Sequence, residues 1–253
     1  MADQNYPPLV DRIKTIAMNI QFLWFVGHLT TVSQAIFSLI YSGTWNYYKA
    51  FYGTLISYAI ILYKSHGVPQ LNKDFLAKTL QDENAQYFLV ALVWSTAAPI
   101  KVALIPFATF SLFHSMGYIR SEFIPKVFPG NTLPQSKVVA SGINSFMTKY
   151  QAQAITYVAY SEVWVILPMT IITIFWGGTS FFTPIMYSQF LQFRYLSSPI
   201  TREVFTTSEL TLDKYLDTET ISPTVRNGYL KVKEVIKRYV NLQTPAPPVP
   251  PSN

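Results

Sequence analysis

Apolar residues gather in long runs that short polar stretches interrupt. The runs cover residues 16–41, 47–63, 86–118, 154–176 and, in more mixed form, 179–196. A hydrocarbon core of about 30 Å asks for about 20 helical residues, so the first run reads as a transmembrane helix. The turn Ser42-Gly43-Thr44-Trp45-Asn46 separates it from the second. Run 86–118 poses a different problem. As one helix at ~1.5 Å per residue it would reach roughly 50 Å, and it carries Pro99, Lys101 and Pro106 near its middle. Proline removes a helical hydrogen bond and disfavours helix in the residue before it. A lysine at the bilayer centre costs about 3 kcal/mol on insertion scales, and much less when its head reaches water. A helical hairpin with its tip at Pro99, Lys101 and Pro106 meets both constraints; the competing reading is one long, tilted, proline-kinked helix. The expected fold is all-α: a polytopic membrane protein of about six hydrophobic helices arranged as three hairpins, plus cytosolic amphipathic helices.

The polar stretches carry weaker patterns. Leu71, Phe75, Leu76 and Leu80 space like one face of a short surface helix. Residues 123–135 hold Pro125, Pro129, Gly130 and Pro134 and predict irregular backbone. Val139, Ile143, Phe146, Met147 and Tyr150 predict an amphipathic lead-in to the next run. Near the C-terminus Val225, Tyr229, Val232, Ile236 and Tyr239 recur at helical spacing, with Arg226, Lys231, Lys233, Lys237 and Arg238 around them. An apolar stripe flanked by Lys and Arg suits an interfacial helix; packing on a partner or on the membrane domain are the alternatives. The expected organisation is a membrane-embedded helical domain at 1–198, a cytosolic amphipathic helical region at 199–243, and a disordered proline-rich tail at 244–253.

Composition narrows the class. Hydrophobic residues make up 50% of the chain and charged residues 13%, about half the charge of a soluble domain. There is no cysteine, which excludes disulfides and thiolate chemistry. The net charge of +6 suits an anionic lipid surface better than nucleic acid, for which no motif is present. If each short turn faces the lumen, all of the 19 Lys and Arg residues except Lys49 and Lys101 fall on the cytosolic side. That asymmetry predicts cytosolic termini. Trp45 and Trp176 then sit at lumenal turns.

Candidate chemistry is sparse. Glu162 lies inside an apolar run, and an intramembrane acid suggests a role. Arg194 is its expected partner, since both lie equally far from a turn near residue 178 and antiparallel helices would bring them to one depth. Independent snorkelling of the two charges and a role for Glu162 in transport are the alternatives. His28 and His114 read as packing residues, and Asn19, Gln21, Ser33 and Gln34 as interhelical hydrogen-bonding groups. No nucleophile elbow, phosphate loop or metal-ligand spacing is present, so no catalytic residue, metal or cofactor is expected.

From Val68 to Ser198 the blocks "FLAKTLQDENAQYFL", "IPFATFSLFHSMGY", "SEVWVILP" and "PIMYSQFLQFRYLSS" resemble, in order and spacing, the transmembrane protein 33 family, which includes fungal pore-membrane proteins. The resemblance implies an integral protein of the endoplasmic reticulum membrane and nuclear envelope. It implies links to nuclear pore distribution and membrane shaping, with reticulon-type proteins, nucleoporins or a karyopherin as partners. A small-solute or ion carrier, with Glu162 and Lys101 in its path, is the alternative function.

Overall fold

A computed structural model of the chain describes residues 6–41, 43–70, 72–130, 132–176, 178–216 and 221–241. The proline-rich tail expected at 244–253 lies outside the described residues. Two compact units make up the chain, Met1–Thr201 and Arg202–Asn253, and every described element is helical.

The first apolar run divides into two helices. α1 (Leu9–Ala17) stops before Asn19, which adopts extended backbone and accepts the Gln21 amide at 2.9 Å, starting α2 (Ile20–Ile40). Asn19 is thus an N-cap, not an interhelical link. α3 (Trp45–His66) ends at Gly67, whose φ of 76° lies in the left-handed region that favours glycine. Asn72 caps α4 (Lys73–Leu80) and Asp82 caps α5 (Glu83–Thr96). α4 is the surface helix the spacing predicts, although Leu71 lies outside the described residues.

The long run 86–118 breaks where proline chemistry demands. Residues 97–100 leave the helix, Lys101–Ala103 form a 3-10 turn, and α6 (Leu104–Tyr118) follows. Pro106 sits in the first turn of α6, where no backbone donor is lost, so only Pro99 and Lys101 belong to the break itself.

Two later stretches differ from expectation for one shared reason. A π-helical turn, Ile119–Phe123, joins α6 to α7 (Ile124–Val127), and another, Glu162–Ile166, joins α8 (Pro134–Ser161) to α9 (Leu167–Phe175). Each is followed by a proline two residues on, Pro125 and Pro168. A proline ring clashes with the carbonyl four residues earlier, and a π turn widens the helix at that carbonyl. Both helices therefore pass through a proline without breaking. Residues 124–127 and 134 onward are helical, while 128–130 and 132–133 keep the irregular backbone expected across 123–135. The amphipathic lead-in is the first half of an uninterrupted rod, Pro134–Phe175, of 42 residues. At ~1.5 Å per residue that rod is about twice as long as a bilayer core is thick. Among the described residues, Ile20–Ile40, Lys101–Val127 and Pro134–Phe175 are long and apolar enough to cross a membrane. α3, α5 and α10 (Phe182–Ser197) are shorter or more polar.

Side-chain contacts define the bundle. Gln21, Trp24, Gly27 and Thr31 of α2 meet Lys64, Ser57, Gly53 and Ala50 of α3, an antiparallel register. Tyr48, Tyr58 and His66 of α3 meet Ala97, Tyr87 and Asp82 in the same sense. Glu83, Tyr87 and Trp94 of α5 meet Arg194, Phe190 and Tyr187 of α10. Phe25 and His28 of α2 meet Tyr118 and Ser111 of α6, and Phe113 of α6 stacks on Phe146 of α8. The helices form a ring of antiparallel neighbours. The two limbs of run 86–118 are not each other's main partners: α5 packs on α3 and α10, α6 on α2 and α8. Large rings, Tyr87 against Phe107 and Phe110, bridge α5 to α6.

The tightest contact is α2 on α3. A Cβ added to Gly27 would lie 2.2 Å from Ser57 Oγ and 2.8 Å from the Gly53 carbonyl oxygen. One added to Gly53 would lie 2.7 Å from the Gly27 carbonyl oxygen. This approach lets Thr31 donate to the Ala50 carbonyl at 3.2 Å and Ser57 to the Trp24 carbonyl at 2.9 Å, as small residues do between membrane helices.

The second unit holds the remainder of α11 (Pro199–Leu216) and α12 (Pro223–Asn241). Lys233 Nζ lies 2.8 Å from Glu209 Oε1 and 2.6 Å from Asp213 Oδ2, Lys237 Nζ lies 2.8 Å from Glu209 Oε1, and Tyr229 donates to Asp213 at 2.8 Å.

Candidate functional site

Glu162 opens the second π turn and is fully buried. Tyr87 donates its hydroxyl to Glu162 Oε1 at 2.7 Å, while Oε2 has no hydrogen-bond partner among the described residues. Tyr187 lies across from it, its hydroxyl 3.5 Å from the Glu162 carbonyl oxygen. Val90, Trp94, Pro106, Phe107 and Ile166 pack around it and leave no room for a water molecule.

The direct Glu162–Arg194 ion pair expected from turn symmetry is not formed. Arg194 is 3% exposed and stands with Nη1 2.9 Å from Glu83 Oε1. The approach is an ion pair by distance, without a well-aimed hydrogen bond. Its guanidinium lies over the Tyr87 ring, 5.1 Å from the centroid. The residue facing Glu162 from α10 is Tyr187, seven positions before Arg194, about 10 Å along the helix at ~1.5 Å per residue. α10 leans on α5 rather than lying in step with α9, and this moves the arginine away. The result is a relay, Glu83–Arg194–Tyr87–Glu162, in which one tyrosine presents its ring to the cation and its hydroxyl to the acid. Glu83 and Tyr87 are not among the residues that the sequence pattern singles out. Their spacing of four on a helix was the available signal.

Lys101 does not approach this network. Its Nζ lies 3.4 Å from the Tyr41 carbonyl oxygen at the C-terminal end of α2, where a cation complements the helix dipole. His28 and His114, read separately as packing residues, are neighbours: their rings are 4.8 Å apart, both against Trp24, and His28 Nδ1 is 2.9 Å from Ser111 Oγ. Gln21 makes an interhelical bond, accepting from Lys64 Nζ at 2.5 Å; Ser33 bonds within its own helix, and Gln34 Oε1 has no hydrogen-bond partner among the described residues.

At the same end of the bundle as Lys64, His66 Nε2 lies 2.7 Å from Asp82 Oδ2. Burial opposes charge on Asp82, but hydrogen bonds from His66 and Asn84 outweigh it and hold the carboxyl below its ordinary value. A carboxyl lowered on folding stabilises fully above its unfolded value, near 4, and loses that contribution as pH falls through the folded value. Asp82→Asn keeps the cap on α5 but removes the charge. At pH 7 it should loosen the α4–α5 junction and speed amide exchange over 73–80, and wild type should approach the variant only in strong acid. Equal exchange at pH 7 would show that the contact carries no weight.

On α12, Arg226, Tyr229, Lys231, Val232, Lys233, Ile236, Lys237, Arg238 and Tyr239 are the residues expected at a membrane surface. Tyr229, Lys233 and Lys237 instead face the acids of α11, whose carboxyls their hydrogen bonds hold below the usual range. Val225, Val232 and Val235 stay more than half exposed in one arc, with Lys231 and Arg238 exposed at its edge. Arg226 is exposed on the paired flank. Ile236 and Tyr239 lie on α12, and their side chains fall outside the described set.

An all-helical fold in which three helices are long and apolar enough to cross a membrane is the architecture of a helical membrane protein. The family described as Transmembrane protein 33/Nucleoporin POM33 matches residues 9–241, and the chain belongs to it. It is 26% identical to Tetra-spanning protein 1 of Schizosaccharomyces pombe, over 92% of this chain and 88% of that protein. It is 28% identical to Nucleoporin POM33 of Chaetomium thermophilum, over 92% and 90%. It is 25% identical to human Transmembrane protein 33, over 72% and 74%. No solved structure matches the chain.

Proposed function

We propose that this chain is a non-enzymatic integral protein of the endoplasmic reticulum membrane and nuclear envelope. It shapes or organises membrane and supports the distribution or assembly of nuclear pore complexes. Both termini face the cytosol, and hairpins at 42–46, 97–101 and 176–181 point to the lumen. The basic residues support this orientation: Lys64, Arg194 and Arg12 gather at one end of the bundle and Lys49 and Lys101 at the other. The relatives' names, pore membrane protein and pore and endoplasmic reticulum protein among them, support the compartment. Partners are an anionic lipid surface and nucleoporins or reticulon-type proteins, with a karyopherin as a further candidate.

The observation that carries the reading is the exposed Val225–Val232–Val235 arc of α12 with its cationic edge. Elements that insert into the cytosolic leaflet alone widen it relative to the lumenal one, which favours curvature. A carrier would need Glu162 and Lys101 along one wet path, and the closed packing at Glu162 does not support that. The test is reconstitution of the full chain at rising protein-to-lipid ratio. Vesicles should narrow into tubules, or the protein should concentrate in the small ones; unchanged spheres with no size preference would overturn the reading.

The acid pair on α11 makes a further prediction. Glu209→Gln with Asp213→Asn frees Lys233 and Lys237 for anionic headgroups. A polarity-sensitive label on Val232→Cys in the reconstituted full chain should then shift further to the blue in vesicles containing phosphatidylserine, and salt should reverse the gain. An unchanged spectrum would mean that α12 does not meet lipid.

A further inference from the structure

We infer that α1 is a second membrane-inserting element, a short preformed helix seated in the headgroup region of the cytosolic leaflet. The inference extends the membrane-shaping reading and relies on it only for the side on which the N-terminus lies. Leu9, Val10 and Ile13 fall on one face of α1 and are 44%, 60% and 43% exposed. Asp11 and Thr15 occupy the opposite face, and Lys14 stands exposed between the two. An exposed apolar face with a basic edge and a polar back suits an interfacial helix.

Two contacts say where this helix must be. Only Met18 and Asn19 separate it from α2, one of the three helices long and apolar enough to span. Apolar exposure continues along the chain through Met18, Ile20 and Leu23 at 89%, 47% and 51%. Such a surface belongs in or beside hydrocarbon. The other edge of α1 is pinned. Arg12 Nη1 donates to the Val127 carbonyl at 2.6 Å, at the end of the α6–α7 rod, and Ile16 is buried with Phe25, Tyr118 and Val127. α1 is therefore held at the bundle's basic end with its apolar face turned outward. The occupant of that face is lipid, because the face runs on from a helix long and apolar enough to span and its edge, Lys14, is cationic.

The chain has no cysteine, so single-cysteine labelling is clean. The experiment uses the full chain reconstituted in phosphatidylcholine–phosphatidylserine vesicles. Val10→Cys, Ile13→Cys, Asp11→Cys and Val232→Cys each carry an environment-sensitive fluorophore. Quenching by headgroup-proximal spin-labelled lipid should exceed iodide quenching by about threefold at 10 and 13 and reverse at 11. Equal access to iodide at all three α1 sites would overturn the proposal. Protection of 10 and 13 from both quenchers would also overturn it, since a protein surface would then cover the face. The label at 232 separates the two readings: water at 232 with lipid at 10 and 13 removes α12 from the membrane and leaves α1 in it.

Discussion

Gly27→Ala is expected to be among the most damaging single-methyl changes this protein can suffer. The new carbon would sit 2.2 Å from Ser57 Oγ and 2.8 Å from a backbone oxygen of α3. A serine can rotate; a helix backbone cannot yield alone, so α2 and α3 must separate. That loses the Thr31–Ala50, Thr31–Thr54 and Ser57–Trp24 hydrogen bonds together. Overpacking of a closed seam costs about 1–3 kcal/mol before those losses, and each buried group left unsatisfied adds about 1–3 kcal/mol. The melting temperature in detergent should fall by roughly 5–10 °C or the monodisperse species should disappear. Gly142→Ala, where nothing lies within 4 Å of the added carbon, should be neutral or mildly stabilising. If the two variants melt alike, the α2–α3 seam is not as close as described.

The second large effect concerns Arg194. Replacing it with leucine leaves Glu162 buried without a nearby cation, and breaking a buried charged network typically costs about 3–5 kcal/mol. Arg194→Lys should recover only part, because a lysine lacks the planar face that lies over Tyr87. Tyr87→Phe removes the donor to the Glu162 carboxylate seen among the described residues and should cost about 1–3 kcal/mol or more. The discriminating variant is the charge exchange Glu162→Arg with Arg194→Glu. A direct pair would be rescued by it. The relay predicts a further loss, since a glutamate at 194 would face Glu83 and an arginine at 162 would be enclosed by Trp94, Phe107 and Ile166. Thermal melts of the single and double variants, read as a double-mutant cycle, decide the matter; rescue by exchange would refute the relay.

Counting residues from a turn assumes that two helices lie in step. The count sets Glu162 and Arg194 at one depth. It had no access to the lean of α10 onto α5, which aromatic volumes at Tyr87, Trp94, Tyr187 and Phe190 set. The same limit applies to α12. Helical spacing placed the valines and the cations on their faces, but a wheel of one helix does not show that Glu209 and Asp213 of the preceding helix claim Lys233 and Lys237. Similarly, Pro125 reads as part of an irregular stretch because proline usually ends a helix, while a π turn is a response of the surrounding backbone.

From the sequence by itself came the helical class, the apolar segments, the interruption at 97–100, the sorting of basic residues and the family, because these depend on local periodicity, on proline's missing donor and on the charge of each stretch. Tertiary structure alone decided which helices touch. It set the glycine seam between α2 and α3, the separation of α5 from α6, the relay through Tyr87 and the pinning of α1. Those outcomes depend on side-chain volumes meeting across space between residues far apart in the chain, and no periodicity within one segment encodes where another segment's surface will lie.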